Sequence, residues 1–175
     1  TLTIGRTEGD MTYVKYKEQV FKVSSDIISF ANDSSYNIVS KLQALVDISE
    51  VKSVTVEYNG AEHTIDITHN DSDMTFVLDG QKVDTKITQA IYKSIVGLAV
   101  DGVYKDETLG DTVMKIKYKG IKSSSDTEIE FKSIDDLYCA LIRNGKTEFT
   151  IKKSKLNEFM DLFNTYVENP EKQGD

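Results

Sequence analysis

The chain has 175 residues, 39% hydrophobic and 29% charged, with one proline and ten glycines. That balance fits one ordinary globular domain or two small ones and excludes a low-complexity or disordered chain. Against 29 acidic residues stand 21 basic ones, a net charge of −8, which argues for a soluble acidic surface and against a nucleic-acid phosphate backbone as partner.

No apolar run approaches the roughly 18 residues that a membrane-spanning helix needs. The chain opens on Thr1 rather than Met and shows no signal peptide, which points to an engineered or processed start with an anchor expected upstream. Cys139 is the only cysteine, so no intramolecular disulfide forms. It sits in Leu137-Tyr-Cys-Ala-Leu-Ile142 and is expected to be a buried structural thiol.

Residues 1–50 read as a partial first unit. Leu2-Thr-Ile-Gly5 and the alternating run 11–16 flank a turn at Glu8-Gly9-Asp10. A tight connection at Lys17-Glu18 leads to a third strand, 19–23. Ser24, Ser25 and Asp26 are helix-start residues before Ile27, Ile28 and Phe30, and the stretch 32–35 ends that helix. In 36–50, Ile38, Val39, Leu42, Leu45 and Val46 fall on one helical face, which predicts a short helix or turn followed by extended chain.

Residues 51–107 read as a first full unit. Val54, Val56 and Tyr58 point one way and Thr55 and Glu57 the other. Asn59-Gly60 is a hairpin turn, since a type I′ turn needs positive φ at both positions. The return strand sets His63, Ile65, Ile67 and His69 on one face. A polar loop at 70–73 leads to a second hairpin around Asp79-Gly80, with arms 74–78 and 81–83. Asp84 or Thr85 caps a helical pattern over 85–99 with a core stripe of Ile87, Ile91, Ile95 and Leu98. Gly102 is the expected helix terminator and Gly110 a turn.

Residues 108–175 read as a second full unit. Met114, Ile116 and Tyr118 face inward, with Lys115, Lys117 and Lys119 outward; beyond the 123–127 loop, Ile129 and Phe131 face inward, with Glu128 and Glu130 outward. The two outward rows carry opposite charge, as cross-strand neighbours should. Asn144-Gly145 turns a further hairpin, and Ser154 is the expected cap of a helix with a stripe of Leu156, Phe159, Met160, Phe163 and Val167. Asn169-Pro170 ends it.

The fold class expected is α+β, with tandem repeats of antiparallel β-meander plus helix: two full hairpin–hairpin–helix units preceded by the partial one. Val23-Ser-Ser-Asp-Ile-Ile28 aligns with Val83-Asp-Thr-Lys-Ile-Thr88, so the partial unit is expected to be a third copy whose first strand would lie upstream.

The segments Leu2-Thr-Ile-Gly5, Tyr13-Val-Lys15, Val20-Phe-Lys-Val23, Val54-Thr-Val-Glu-Tyr-Asn-Gly60 and Val77-Leu-Asp-Gly-Gln-Lys-Val-Asp84 with its helix resemble, in their order, the bacterial and archaeal domain-of-unknown-function family 4340. The resemblance covers nearly the whole chain. Phe76 and Tyr138 stand in for a tryptophan that the family often places after the acidic loop. The resemblance implies an extracytoplasmic protein on an N-terminal membrane anchor, in some cases beside components of ABC-type transport systems. It carries no catalytic residues over.

Tests for chemistry give no catalytic, cofactor or metal residues. His63 and His69, six residues apart on one strand face, lie roughly 20 Å from each other and cannot share a zinc ion. Asp71 and Asp73 sit in an oxygen-rich loop, but the glycine and distal glutamate of an EF-hand are missing. Ser123-Ser124-Ser125-Asp126 has no nucleophile elbow around it. Tyr13, Tyr16, Tyr58 and Tyr118 are strand tyrosines whose rings are expected mostly in the core with hydroxyls at the rim; several together outside would mark a protein or glycan contact surface. The function expected from the residues is therefore a non-catalytic interaction module with a protein partner, which the family resemblance implies is extracytoplasmic and part of a membrane-anchored surface protein. The alternative is a ligand-binding accessory component of an ABC-type transport system. No enzyme activity, cofactor or nucleic-acid partner is expected.

Overall fold

The structure, a computed structural model, describes residues 1–32, 35–38, 40–70 and 73–169. Two compact units, Thr1–Val39 and Ser40–Asp175, divide the chain. The division falls before the predicted limit at residue 50, so 40–50 lies with the second unit.

In the first unit, β1 (Leu2–Glu8), β2 (Met11–Tyr16) and β3 (Gln19–Ser24) form an antiparallel meander. Gly9 and Lys17 take positive φ, 63° and 54°, to make its turns. The pairs Leu2↔Tyr16, Ile4↔Val14 and Val14↔Phe21 put these apolar residues on one face. Only Val14 of that group is buried. The helix expected after Ser24 is a 3₁₀ helix, Ser25–Asn32, and α1 (Ser35–Ile38) is a single turn. The stop signal at Asp33-Ser34 lies outside the described residues.

The second unit holds a nine-stranded antiparallel sheet. Its strands are β4 (Val51–Tyr58), β5 (Ala61–Asn70), β6 (Asp73–Leu78), β7 (Gln81–Val83), β8 (Gly102–Val103), β9 (Thr112–Gly120), β10 (Thr127–Ser133), β11 (Tyr138–Arg143) and β12 (Lys146–Lys152). Their spatial order is β7-β6-β5-β4-β9-β10-β11-β12-β8. Thus β4 to β7 and β9 to β12 are two meanders that run outward from the shared β4·β9 pair, and one sheet serves both. Asn59, Asp79 and Asn144 take φ of 49°, 48° and 49°, each followed by a positive-φ glycine, as the hairpin turns require.

α2 (Thr85–Val96) follows β7 and α3 (Lys153–Glu168) follows β12. Both cover the face carrying Val54, Val56, Ile116 and Ile129, all at most 3% exposed. From the end of β12, α3 carries Phe163 to within 6.2 Å of the Tyr58 ring and 5.8 Å of the His63 ring. Phe163 stands ten residues into α3, a rise of about 15 Å, and Tyr58 on β4 lies four strand gaps from β12, about 19 Å, which its side chain and that of Phe163 close, so α3 lies across the strands rather than along them. α2 starts at the opposite edge, and the chain after it reaches β12 as β8.

Three local expectations are corrected. The helix after Asp84 ends at Val96 with Gly97 as its C-cap, because Leu98 and Val100 are buried in the segment that leaves it. Gly102 is not the terminator: it pairs with Thr150 in β8, and the Thr150 hydroxyl would lie 3.1 Å from an added Cβ. Ser154 is not the cap of α3; Lys152 holds that position without a side-chain bond. Its main-chain N–H donates to Asp101 Oδ2 at 2.9 Å instead.

The short helix or turn expected in 36–50 is the single turn Ser35–Ile38 and a second turn in which Leu45 N–H donates to the Leu42 carbonyl at 3.2 Å. Leu42 and Leu45 are exposed. The carbonyls of Lys41, Gln43 and Ala44 accept from Val100 N–H, Arg143 Nη1 and Tyr118 Oη, and these bonds hold the segment irregular against the sheet.

Candidate functional site

The two hairpin arms β6 and β7 have unequal lengths. β7 ends at Val83, opposite Phe76, because Asp84 accepts the Lys86 N–H at 2.7 Å and starts α2 there. β6 continues past Phe76 to Asp73. Leu78 and Gln81 flank the two-residue turn and face each other. In an antiparallel pair alternate residues point their N–H and C=O toward the same neighbour. Leu78 and Phe76 therefore face β7, and Met74 faces the same way beyond the end of β7. Among the described residues no main-chain partner meets Met74 on that side.

Beside this uncovered end lies a groove of about 710 Å³ between β6 and α2. Met74 and Phe76 from the sheet, Ala90 and Val96 from the helix, and the Tyr92 ring give it an apolar lining. Lys86 and Lys93, both exposed, stand along its helix rim, with Asp73 at its strand end. The volume lies within the range of ligand and peptide grooves. Tyr92 Oη is buried beside the Val46 and Ile48 main chain. Burial pushes that phenol up first, the nearby Asp47 charge adds to it, and the Val46 and Ile48 main chain opposes both.

The opposite face of the sheet is polar. Glu57 pairs with Lys117, and Lys115 lies 3.6 Å from Glu128 and 3.7 Å from Glu130. The opposite-sign rows expected across β9 and β10 thus stand in register, Glu128↔Lys117 and Glu130↔Lys115. The hydrogen bond from Lys117 holds the Glu57 carboxyl below its ordinary value. A groove of about 530 Å³ runs over this face between Thr55, Glu62, Lys119 and Glu128. Its charges are largely committed to one another, which suits a solvated face.

His63 and His69 have separate roles. His63 is largely covered against Tyr58 and Phe163, and its Nδ1 donates to Asp79 Oδ2 at 2.7 Å. The other oxygen of Asp79 accepts the Thr64 N–H at 2.8 Å, so the pair ties the β6–β7 turn to β5. His69 Nε2 donates to the Val51 carbonyl at 2.7 Å. Of the Asp71/Asp73 loop, Asp71 and Ser72 lie outside the described residues and Asp73 opens β6. Among the described residues no group of three or more His, Cys, Asp or Glu side chains could hold a metal ion, and no helix is long and apolar enough to cross a membrane.

Ser123–Ser125 is a 3₁₀ turn whose neighbour Asp126 accepts the Gly120 N–H at 2.9 Å and Lys119 Nζ at 3.2 Å. Cys139 is fully buried in β11, and burial raises its thiol. Of the strand tyrosines, Tyr58 and Tyr118 are core residues, whereas Tyr16 is 49% exposed. Sequence reasoning passed over Lys86, Lys93 and Met74. The signal available was the difference in arm length, five residues before Asp79-Gly80 and three after it.

Fold and groove together define an α+β protein with mostly antiparallel strands and an open furrow at one sheet edge. No family model matches the chain, and no curated protein or solved structure is found similar to it.

Proposed function

We propose that the chain is a non-catalytic interaction module that binds a segment of another protein, and that it works outside the cytoplasm as part of a membrane-anchored surface protein. The observation that carries the interaction reading is the groove at α2, where an apolar lining, two exposed lysines and an unpaired strand end converge. The location rests on the resemblance to domain-of-unknown-function family 4340 alone. We propose also that 51–107 and 108–175 are tandem copies of one meander-plus-helix unit, with the three-stranded segment as a third, partial copy. The order of strands and helices on either side of β4·β9 supports that descent.

A second reading, an accessory component of an ABC-type transport system, is favoured by the same groove, whose volume suits a ligand. Copurification of the tagged, membrane-anchored chain from a detergent-solubilised membrane fraction tests both. A surface protein recovered in stoichiometric amount supports the first reading. A transporter subunit supports the second. Recovery of the chain alone, from every fraction, overturns the interaction reading.

A further inference from the structure

We propose that the chain pairs with a second copy of itself through the apolar face of β1–β3, the two sheets packed face to face about a twofold axis that runs across the strands.

The face is defined by register. Residues directly opposite each other share a face, so Leu2, Tyr16 and Gln19 form one row and Ile4, Val14 and Phe21 the next. Neither row holds a charged residue. Leu2, Ile4, Tyr16 and Phe21 are 40–49% exposed, whereas Val14, between Ile4 and Phe21, is 4% exposed. Farther along β2 Thr12 is buried and bonds to Ser25, where the 3₁₀ helix starts, so the exposed patch lies at the other end of the meander. A contiguous apolar patch of this kind marks an association surface. The reverse face differs. There Arg6 and Lys22 lie 5.6 and 5.3 Å from the Tyr13 ring, and Glu8 accepts from Tyr13 Oη and Lys22 Nζ. Those charges satisfy one another and suit solvent.

Charge selects the occupant. Residues 1–39 hold four basic and five acidic residues, a net charge of −1, which leaves −7 of the chain's −8 to residues 40–175. Two copies therefore meet at 1–39 with far less repulsion than at 40–175. An anionic lipid surface repels the chain as a whole.

Shape fits the same occupant. A twofold axis across the strands, set between the two rows, lays each row over the other. Each Tyr16 ring then stands over the partner's Val14, the low point of its row, and each Leu2 over the partner's Ile4. The contact is reciprocal, as an isologous interface requires. Lys17, whose Nζ lies 5.5 Å from the Tyr16 ring, stays at the rim beside the turn.

Area sets the strength. Four half-exposed side chains offer roughly 100 Å² each, so two copies bury about 800 Å² of apolar surface. A stable interface needs about 1,200–2,000 Å², so the pair is weak and reversible, with a dissociation constant on the order of 100 µM.

Sedimentation velocity on the full chain, from about one tenth to about ten times that concentration, tests the pairing. The expected result is a reversible monomer–dimer equilibrium. Tyr16→Glu/Phe21→Glu should raise the dissociation constant at least tenfold and keep the circular dichroism spectrum. Val20→Glu, on the same sheet but its reverse face and likewise at an exposed position, should leave the equilibrium unchanged. Isotope-filtered NOEs between labelled and unlabelled wild-type copies should join the Tyr16 ring to the partner's Val14 methyls, and they decide the matter if the double variant loses its fold.

A monomer at every concentration overturns the proposal. So does a dimer that the double variant keeps, one that Val20→Glu disrupts equally, or NOEs between copies that bypass 2–21. Phosphatidylcholine vesicles that shift the 2–21 amides of a chain that stays monomeric assign the face to lipid and overturn it too. Recovery of a foreign protein from the membrane fraction bears on the interaction reading alone.

Discussion

Asp101 is the side chain whose removal tests the packing of the second unit most sharply. Its Oδ2 accepts the Lys152 N–H at 2.9 Å, and its Oδ1 takes Lys155 Nζ at 2.9 Å. Lys155 also donates to the Ala99 carbonyl at 2.8 Å. One carboxylate thus serves the N-terminus of α3 from the segment that leaves α2. The pair is largely covered, with side chains 19% and 31% exposed, so solvent screens it less than a surface pair. A hydrogen bond to a charged group contributes about 1.5–3 kcal/mol, and an anion at a helix N-terminus about 0.3–1 kcal/mol. Asp101→Ala should therefore cost about 2–3 kcal/mol. Asp101→Asn keeps an acceptor for Lys152 and should cost about 1 kcal/mol. Urea unfolding followed by circular dichroism measures both.

The pH dependence gives a second arm. Burial raises the Asp101 carboxyl, but the Lys155 and Lys152 contacts outweigh it and hold the group below its ordinary value. The unfolded state then binds more protons in the window between the two values, so stability rises with pH there. The contribution is complete above the ordinary aspartate value of about 3.9 and is lost as pH falls through the lower folded value. The Ala variant should lack that part of the acid slope. A loss under about 0.5 kcal/mol, set against the charge-assisted bond expected here, or an acid slope unchanged from wild type, would refute this account of how α3 is held.

Tyr118→Phe leaves the buried Ala44 carbonyl without its donor, which sits at 2.9 Å, and should cost about 1–3 kcal/mol; a loss indistinguishable from zero in urea unfolding would show that the bond does not hold the 40–47 segment. Gly60→Ala should cost about 1–2 kcal/mol through the backbone alone, since φ is +78° and an added Cβ meets nothing within 4 Å; Asn59→Gly, which removes a side chain from a positive φ, should cost far less, and the reverse order sinks the turn assignment. Cys139, fully buried with its thiol raised by burial, should react with a thiol reagent only at the rate of unfolding; rapid labelling in native buffer contradicts the packing of β11.

The hairpins were legible because each turn demands a conformation that few residues tolerate. Asn59-Gly60, Asp79-Gly80 and Asn144-Gly145 announce positive φ, and once a two-residue turn is placed the register of both arms follows. The inward rows of β4, β9 and β10 then read directly from alternation. Structure built from distant partners was not legible. Ser154 looks like a cap, yet the acceptor at α3 is Asp101, brought there by β8. Leu42 and Leu45 keep helical spacing, yet the carbonyls between them serve Arg143 and Tyr118. In both places a long-range bond overrides a local preference worth a fraction of a kcal/mol.

The central β4·β9 pair also explains why 51–107 and 108–175 cannot be independent bodies. Separated, each would present its longest inward row at an edge: Val54, Val56 and Tyr58 on one side, Met114, Ile116 and Tyr118 on the other. The open edges would be templates for pairing with other chains. Joined, those rows become the middle of the core, and the weak points move outward to the two ends of the sheet. There the chain treats its ends differently. At β12 it returns β8 to the edge, and Asp101, just before it, anchors α3. At β6 it turns into α2 after Val83 and leaves Met74 beside an apolar furrow with lysines on its rim. One sheet thus carries a closed end that secures the helices and an open end where β6 outruns β7.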